Sequence, residues 1–243
     1  MPRPERPAPS RKGRRRTEGA PAKGSHRPAD ATTPPRLRLI EAAGPVFARR
    51  GFADATVREI IAAAGANIAA VNYHFGGKIG LYRAVLEHYS MAAMAAHPVP
   101  RPSTDTAPPD KLLHGFVAAF LERLFHDGKP AWMSQIIARE MVEPTDAFQH
   151  LAETHMRPQL DILRAIVARL MGLPPTDPRV HRCAASVIAQ CVTYKQCGAA
   201  HRILSPGQTY DAAGRAELAA HIAAFSLAGI VAQTPAPGKG SRK

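Results

Sequence analysis

Apolar positions after residue 33 recur with the period of an amphipathic helix, about 3.6 residues. In the first helix they share one face: Leu39, Ala43, Val46 and Phe47. Gly51 predicts the end of this helix. The second helix has apolar residues at positions i, i+3, i+4 and i+7, which are Val57, Ile60, Ile61 and Ala64. Thr56 is a favourable N-cap for it, and Gly65 supplies the turn that ends it.

Asn67 predicts the start of a third, short helix. One face of that helix carries Ile68, Val71 and Phe75, and the other carries Ala69, Ala70, Tyr73 and His74. Two helices joined by a glycine turn and supported by a preceding helix predict a helix-turn-helix, whose second member lies in the major groove of DNA. We therefore expect the inner face to pack and the outer face to read bases.

Helical periodicity dominates the rest of the chain as well. A fourth helix runs on from Lys78 until a proline-rich segment at 98–109. Further helices are predicted at about 110–126, 131–142, 147–171, 177–197 and 214–232. No alternating strand pattern competes, and alanine supplies much of the apolar fraction. The prediction is an all-α protein, with a helix-turn-helix DNA-binding domain at 34–80 and a helical effector-binding and dimerisation domain at 81–232.

Charge adds a partner to this picture. The net charge is +13 and the isoelectric point is about 10.3, which favours an anionic partner such as nucleic acid or an anionic lipid surface. Much of the excess lies in residues 1–33, a segment with hardly any large apolar side chain, which predicts a disordered basic arm. The arm has two interpretations, a solvated tail or a segment that follows the DNA backbone. Residues 233–243 are predicted to be a disordered tail.

The run from residue 51 to residue 78, GFADATVREIIAAAGANIAAVNYHFGGK, resembles the DNA-binding signature of TetR-family regulators. That resemblance implies a cytoplasmic, homodimeric transcriptional repressor that binds double-stranded DNA and a small-molecule effector. It also implies phosphate contacts by Thr56, His74 and Lys78. The chain departs from the commonest family pattern at one point, because Asn72 stands where an aromatic residue is usual and Tyr73 directly precedes His74.

Physical chemistry leaves the role of the third helix open in part. An asparagine amide can pair with adenine, and small alanine side chains can meet thymine methyl groups. Asn72 could equally bond to neighbouring backbone. The predicted DNA-binding residues are Thr56, Arg58, Asn67, Ala69, Ala70, Asn72, Tyr73, His74 and Lys78.

Several short segments of the second half resemble the sensor domain of CecR-type regulators within the TetR family. They are residues 130–132, 138–141, 143–145, 203–207 and 227–230. In the last long helix, the apolar residues Leu218, Ile222 and Phe225 form a stripe, and alanines surround them. The preceding long helix offers a similar surface with Ala184, Val187, Ile188 and Cys191. The resemblance implies that these helices form a four-helix dimer interface with their copies. The alternative is that they close the core of the monomer.

A sensing pocket is predicted among the middle helices, with apolar walls and a few adaptable polar groups. Its candidate residues are Phe116, Phe120, Trp132, Gln135, Arg139, Met156 and Tyr194. Each of them could instead belong to the ordinary core. The charged pair Arg139 and Glu140 lies within an apolar helix, where charges must be paired, exposed or directed at a ligand. A structural ion pair is one reading of it.

Other chemistry finds little support in the sequence. No metalloprotease, phosphate-binding or nucleophile motif is present, and the three cysteines lack metal-ligand spacing. We expect no enzyme activity, no cofactor and no metal, although a cysteine redox sensor remains an alternative. We also expect no signal peptide, no membrane-spanning segment and no membrane partner.

These observations predict a ligand-responsive repressor that recognises a palindromic operator. The resemblance to CecR-type regulators implies export or drug-sensitivity genes as targets. The competing class is a basic helical protein with another role, either a membrane-surface adaptor or an enzyme. Binding of a palindrome, and its loss with a small ligand, would separate the two classes.

Overall fold

The computed structural model describes residues 33–125 and 130–234, and all regular elements in these ranges are helical. Their bounds are α1 (Pro35–Asp54), α2 (Val57–Ala64), α3 (Ile68–Phe75), α4 (Lys78–Ala96), α5 (Pro109–Phe125), α6 (Ala131–Glu140), α7 (Asp146–Leu151), α8 (Arg157–Met171), α9 (Pro178–Gln196), α10 (Gly198–Leu204) and α11 (Ala212–Ala232). The all-α prediction is confirmed. The predicted basic arm up to residue 32 and the tail from residue 235 lie outside the described residues.

Local sequence signals account for the first three helices. Gly51 interrupts α1 with φ 81°, a left-handed conformation that glycine adopts without strain. Thr56 and Glu59 form a reciprocal capping box at the start of α2. Gly65, with φ 60°, ends α2, and the Asn67 side chain accepts a hydrogen bond from the first turn of α3. The helix-turn-helix predicted from the sequence is confirmed.

The structure amends two predictions about the second half. The helix expected at 147–171 is helical throughout, but a π-helical turn (Ala152–Met156) separates α7 from α8. Pro158 lies at the start of α8 and lacks the N–H that would continue the α-helical hydrogen-bond ladder there. The segment predicted as a linker from 198 to 214 contains α10. Gly198 is the first residue of that helix and Pro206 lies beyond its last, so neither breaks it.

The first apolar cluster brings together α1 to α4 with α6 and α7. Leu39, Phe47, Ile60, Val71 and Leu81 are at most 1% exposed, and Met133, Ile136, Ala147 and Leu151 from the later helices join the same core. The predicted boundary near residue 80 therefore cuts across a packed unit, since α6 lies on α1 and α7 lies on α4. Reading from the sequence could not foresee that α6 and α7 return to the DNA-reading helices.

The second apolar cluster consists of α5, α8, α9 and α11. Its most buried residues include Leu113, Phe116, Val167, Val187 and Ile222. In the core these helices meet through aliphatic side chains and alanines, and α11 packs most extensively on α5.

Among the described residues, one helix, α11 (Ala212–Ala232), is apolar enough to cross a membrane by length and composition alone. It carries Arg215 and Glu217, so its uncharged part is shorter than the roughly 18 residues that a membrane span needs. One side of α11 packs into the second cluster through Ala219, Ile222 and Ile230. Its other side also carries apolar residues, among them the exposed Phe225 and Val231.

Candidate nucleic-acid interface and sensor helices

The outward side of α3 is the most exposed surface of the helix-turn-helix. Tyr73 is 85% exposed, and Asn72 and Ala69 are also exposed. Val71 is fully buried and holds α3 on the first cluster. The face predicted to be outward is therefore outward at Ala69 and Tyr73. Ala70 and His74 differ, because both are half-buried.

One residue of the predicted inner face of α3 is exposed rather than buried. Ile68 was predicted to point inward with Val71, but it is 59% exposed. It is the first residue of α3, where the helix has not yet packed on its neighbours. A large apolar side chain at this edge extends the exposed surface available to a partner.

Two of the predicted contact residues also have structural tasks. The Thr56 hydroxyl accepts from the Glu59 N–H at 3.2 Å and donates to the Glu59 carboxylate at 3.1 Å. The Thr56 N–H also donates to the Glu59 carboxylate at 3.2 Å. This backbone bond first, and then the bond from the Thr56 hydroxyl, lower the pKa of the Glu59 carboxyl, and the Arg50 guanidinium, 3.3 Å away, adds to the effect. The Asn67 amide oxygen accepts from the Ala70 N–H at 2.9 Å. Both side chains therefore hold helix ends in place beside any DNA contact.

The cationic residues of this region differ in exposure and in the contacts of their side chains. Arg58 is exposed on the first turn of α2. Lys78 is half-buried, because its Nζ donates to the Ala53 carbonyl at 2.8 Å and lies 4.8 Å from the centre of the Phe52 ring. That contact ties the start of α4 to the end of α1. An ammonium has three donors, so Lys78 keeps donors for a further acceptor.

Glu140, the last residue of α6, makes buried polar contacts with α4 and with the start of α7. Its carboxylate is 2% exposed and accepts from the Tyr82 hydroxyl at 2.5 Å and from the Thr145 N–H at 2.8 Å. Burial, and then the bond to Glu140, raises the pKa of the Tyr82 hydroxyl above its usual range. We call this set, Tyr82, Glu140 and Thr145, the Glu140 network. It joins α4, α6 and the start of α7.

The sequence drew attention to Arg139 and Glu140, but the structural ion pair that was one interpretation is not what the structure shows. Arg139 is exposed, and its Nη1 donates to the Phe47 carbonyl at 3.4 Å rather than to Glu140. Among the described residues, the ion pairs include neither Arg139 nor Glu140. Tyr82 and Thr145 were missed, although a threonine followed by an acidic residue is a recognisable helix start and Thr145 does cap α7.

The predicted pocket residues do not come together at one place. Trp132 belongs to the first cluster, where its ring lies against Gly44 of α1 so closely that a Cβ there would overlap it. The ring also meets Tyr89 edge-on, with centroids 5.0 Å apart. Gln135 is exposed on α6, as is Met156 in the π-helical turn.

The remaining candidates lie in the second cluster. The rings of Phe116 and Phe120 are stacked with centroids 6.0 Å apart, Phe116 being fully buried. Tyr194 packs on the same cluster and meets His201 edge-on. Phe116, Phe120 and Tyr194 therefore remain candidates for a ligand contact in this half, while the set of seven does not line one cavity.

The outer sides of α9 and α11 form an open groove of about 400 Å³. Phe225 lines it and is 65% exposed, and Val231 nearby is 60% exposed. Ala184, Val187 and Cys191, expected at a subunit interface, are instead buried within the monomer. These buried residues therefore close the core of the monomer, which was the alternative interpretation for them.

The described residues contain no cluster of metal ligands, and their cysteines form no disulfide. No three His, Cys, Asp or Glu side chains at 33–125 or 130–234 come together so that they could hold a metal ion. The cysteines are free, and burial raises the pKa of the Cys191 thiol to about 12. A thiol with so high a pKa is a poor nucleophile at neutral pH.

Comparison with known protein families matches both halves of the chain. Residues 39–85 match the tetR family of bacterial regulatory proteins, and residues 109–230 match the C-terminal domain of the HTH-type transcriptional dual regulator CecR. The dual regulator CecR of Shigella flexneri is 29% identical over 169 residues, which are 66% of this chain and 75% of that protein. The transcriptional activator FasR of Mycolicibacterium smegmatis is 32% identical over 120 residues, 49% of this chain and 52% of that protein.

Solved structures share the fold at low identity. FadR of Bacillus subtilis, solved in complex with stearoyl-CoA, has a TM-score of 0.58 and 14% identity, covering 79% of this chain and 98% of that one. A tetR-family regulatory protein of Rhodococcus RHA1 has a TM-score of 0.58 and 19% identity, covering 82% of this chain and 98% of that one.

Proposed function

This chain belongs to the TetR family of bacterial transcriptional regulators and is of the CecR type, and from that premise we propose that it is a ligand-responsive repressor. In this proposal a homodimer binds a palindromic operator in the cytoplasm, and a small-molecule effector releases it. Export or drug-sensitivity genes are the proposed targets, by resemblance to CecR-type regulators.

The observation that carries the proposal is the exposed side of α3. Asn72 and Tyr73 extend from a helix that Val71 fixes on the core and that Asn67 caps. A rigid helix with exposed hydrogen-bonding side chains and a small alanine is suited to the edges of base pairs in the major groove. Around it, Arg58 and Lys78 supply the positive charge that attracts phosphates.

Dimerisation follows from the size of this surface. A single recognition helix offers too little area for tight and specific DNA binding. The exposed apolar side of α11, with Phe225 and Val231, is a surface that soluble proteins usually cover. We propose that a second copy covers it, so that two recognition helices meet successive major grooves about 34 to 36 Å apart.

The effector half of the proposal rests on the second cluster. The Bacillus subtilis relative of known structure was solved with stearoyl-CoA, and this supports a small-molecule site in a fold of this kind. If effector and operator select different conformations of one dimer, each weakens the binding of the other by the same factor, typically about 5- to 150-fold.

Selection from random duplex DNA tests the proposal directly. Full-length protein is incubated with the random duplexes, bound DNA is amplified through several rounds, and the winner is footprinted. We expect a palindrome whose half-sites lie about one helical turn apart. Enrichment of no sequence over the starting pool would refute sequence-specific regulation.

The selected operator then separates base contacts from phosphate contacts. Arg58→Ala should weaken the operator and a scrambled duplex by similar factors and reduce the salt slope by about one. Lys78→Ala should do the same and also lower thermal stability, because Lys78 ties α4 to the Ala53 carbonyl. Lys111→Ala, an exposed change on α5, is the matched control and should leave both duplexes unaffected.

A further inference from the structure

Arg123, near the end of α5, is a buried cation with neutral partners. Its side chain lies in the second cluster and the residue is only 6% exposed. Its Nε donates to the His97 carbonyl at 2.6 Å, and its Nη1 donates to the Gln159 amide oxygen at 2.9 Å. Among the described residues, none of the ion pairs includes Arg123.

Such an arrangement has an energetic cost. A buried charge is normally accompanied by an opposite charge, because neutral acceptors replace only part of its lost hydration. Burial accordingly lowers the pKa of the Arg123 guanidinium. An apolar side chain of similar volume at position 123 could hold the same helices together at a lower cost in free energy. Packing alone therefore does not account for an arginine at this position.

An open groove of about 370 Å³ lies next to this cation. Gln159, the acceptor of the Arg123 Nη1 bond, is also one of the residues that line the groove. Apolar contributions come from Pro158 and Ile162 of α8, and Ser103 adds a hydroxyl on the opposite loop. The groove thus combines an apolar wall with a few polar groups. Gln159 connects it to the buried guanidinium of Arg123.

The charge around the groove is positive. Arg101 lines it, and Arg169 reaches its loop by donating to the Pro102 carbonyl at 3.5 Å. The carboxylate in its lining, Asp161, is paired with Arg164 at 2.8 Å. Asp161 is therefore compensated locally, while among the described residues Arg101 and Arg123 form no ion pair and their charges can attract an anion.

We propose that Arg123 anchors a binding site for a small organic anion, a carboxylate or a phosphate monoester with a short apolar portion. The anion enters by the groove and replaces the Gln159 amide oxygen on the guanidinium, because a charged acceptor makes the stronger hydrogen bond with a cation. Its apolar portion lies along Pro158 and Ile162. The site itself follows from Arg123 and the groove, whereas naming the anion as the effector rests on the proposed function.

The position of Arg123 gives such an anion a route to the DNA-reading helices. His97, whose carbonyl Arg123 holds, is the residue that ends α4. The first residue of α4 is Lys78, about 28 Å from His97 along a helix of 19 residues. An anion that draws the guanidinium towards the groove weakens its hold on this end of α4, and α4 carries Tyr82 of the Glu140 network.

Binding is tested on the full-length protein without DNA. Octanoate, octyl phosphate and octanol, which share one chain length, are titrated separately by calorimetry, and melting temperature is followed in parallel. We expect at least one of the two anions to bind saturably and at least about 10-fold more tightly than the alcohol, since hydrogen bonds to charged groups are the stronger ones. The two anions distinguish a carboxylate site from a phosphate site. Octanol binding as tight as either anion, or no saturation by millimolar anion, would overturn the proposal.

Substitutions then locate the site. Arg123→Gln should weaken the anion by about 10- to 100-fold, and Arg123→Lys should lose less because it keeps the charge. Lys111→Gln removes one positive charge from an exposed position of the same helix and should change nothing. Equal loss in Arg123→Gln and Lys111→Gln would overturn the proposal. The comparison of anion with alcohol in the unmodified protein does not depend on any variant folding.

Failure of this site and failure of the proposed function give different results. A protein that enriches a palindrome but binds neither anion retains the repressor function and loses the anion site. A protein that binds an anion through Arg123 but selects no DNA sequence retains the site and loses the repressor function.

Discussion

The two apolar clusters of this protein treat their buried polar groups in different ways. In the first, Glu140 is buried and accepts hydrogen bonds from Tyr82 and Thr145 on two other elements. In the second, Arg123 is buried against two neutral acceptors. A buried group with several well-placed partners fixes one arrangement of helices, whereas a buried charge with neutral acceptors as its partners among the described residues gains from an anion. On the proposals above, the first cluster holds its shape and the second responds to a ligand.

The exposed surfaces of the two clusters also differ, in the polarity of their side chains. The outer side of α3 offers Asn72, Tyr73 and a small alanine, a mixture suited to polar base edges. The outer side of α11 offers Phe225, Val231 and several alanines, a mixture suited to another apolar surface. Each surface can be altered separately, so the following experiments test the division of labour.

The largest effect is expected from a charge on the outer side of α11. Phe225→Glu should convert the dimer to a monomer and reduce operator affinity by more than about 1,000-fold, because only one half-site can then be held. Analytical ultracentrifugation and a binding titration on the same sample measure both. Ala216→Glu places the same charge on an exposed position half a turn round α11 and should preserve both properties. A monomeric variant that holds the operator at the affinity of the unmodified protein would contradict the dimer mechanism.

Loss of the Glu140 carboxylate should have the next largest effect, and it acts on stability. Glu140→Gln keeps the size of the side chain but removes its charge, so the bonds from the Thr145 N–H and the Tyr82 hydroxyl lose their charged acceptor. We expect the free energy of unfolding to fall by about 2 to 3 kcal/mol, measured by urea denaturation. Glu143→Gln, three residues along and exposed, is the control and should change it by less than about 0.5 kcal/mol. Equal stability of the two variants would show that the Glu140 network does not hold these helices.

Truncation of Tyr73 should alter sequence preference rather than stability. The side chain is 85% exposed, so Tyr73→Ala should leave the melting temperature almost unchanged. Discrimination at one base pair of each half-site should fall by about 1 to 3 kcal/mol, measured by competition with single-substitution operators. Tyr73→Phe tests whether the hydroxyl or the ring is responsible. A uniform loss of affinity for all duplexes would instead indicate a phosphate contact.

The smallest effect is expected from the basic arm. Residues 1–33 contain nine Lys and Arg against three Asp and Glu. If the arm follows the DNA backbone, deletion of residues 1–32 should lower affinity mainly at low salt and leave dimerisation and melting temperature unchanged. A full-length variant with the nine cations changed to glutamine should behave like the deletion. Unchanged affinity at low salt would leave only the interpretation as a solubilising tail.

The sequence predicted best where structure is decided locally. Thr56, Gly65 and Asn67 act within one turn of their own position, and the structure confirms all three as helix ends. The type of fold and the helix-turn-helix were therefore accessible from the residues alone. The alternation of buried and exposed positions in α3 was predicted less well, because the contacts of its first turn depend on where α2 and α4 lie.

Long-range packing was beyond the same reasoning. Trp132 was predicted to line a pocket, yet it packs on Gly44, a contact between residues 88 positions apart that no local pattern announces. Arg123 was not singled out, because a lone arginine on an amphipathic helix ordinarily points to solvent. Glu140 was singled out correctly as a charge in need of a partner, but its partner Tyr82 lies 58 positions away. Tertiary contacts, which decide all three cases, leave no periodic trace in the sequence.

The contact between Trp132 and Gly44 also provides an optical readout. Trp132 is the one tryptophan of the chain, and its indole lies at the junction of α1, α4 and α6. The emission of an indole shifts to the red when water replaces apolar neighbours. Fluorescence excited at the tryptophan absorption edge therefore reports the separation of α6 from α1 at a single place, and no dye or label has to be attached.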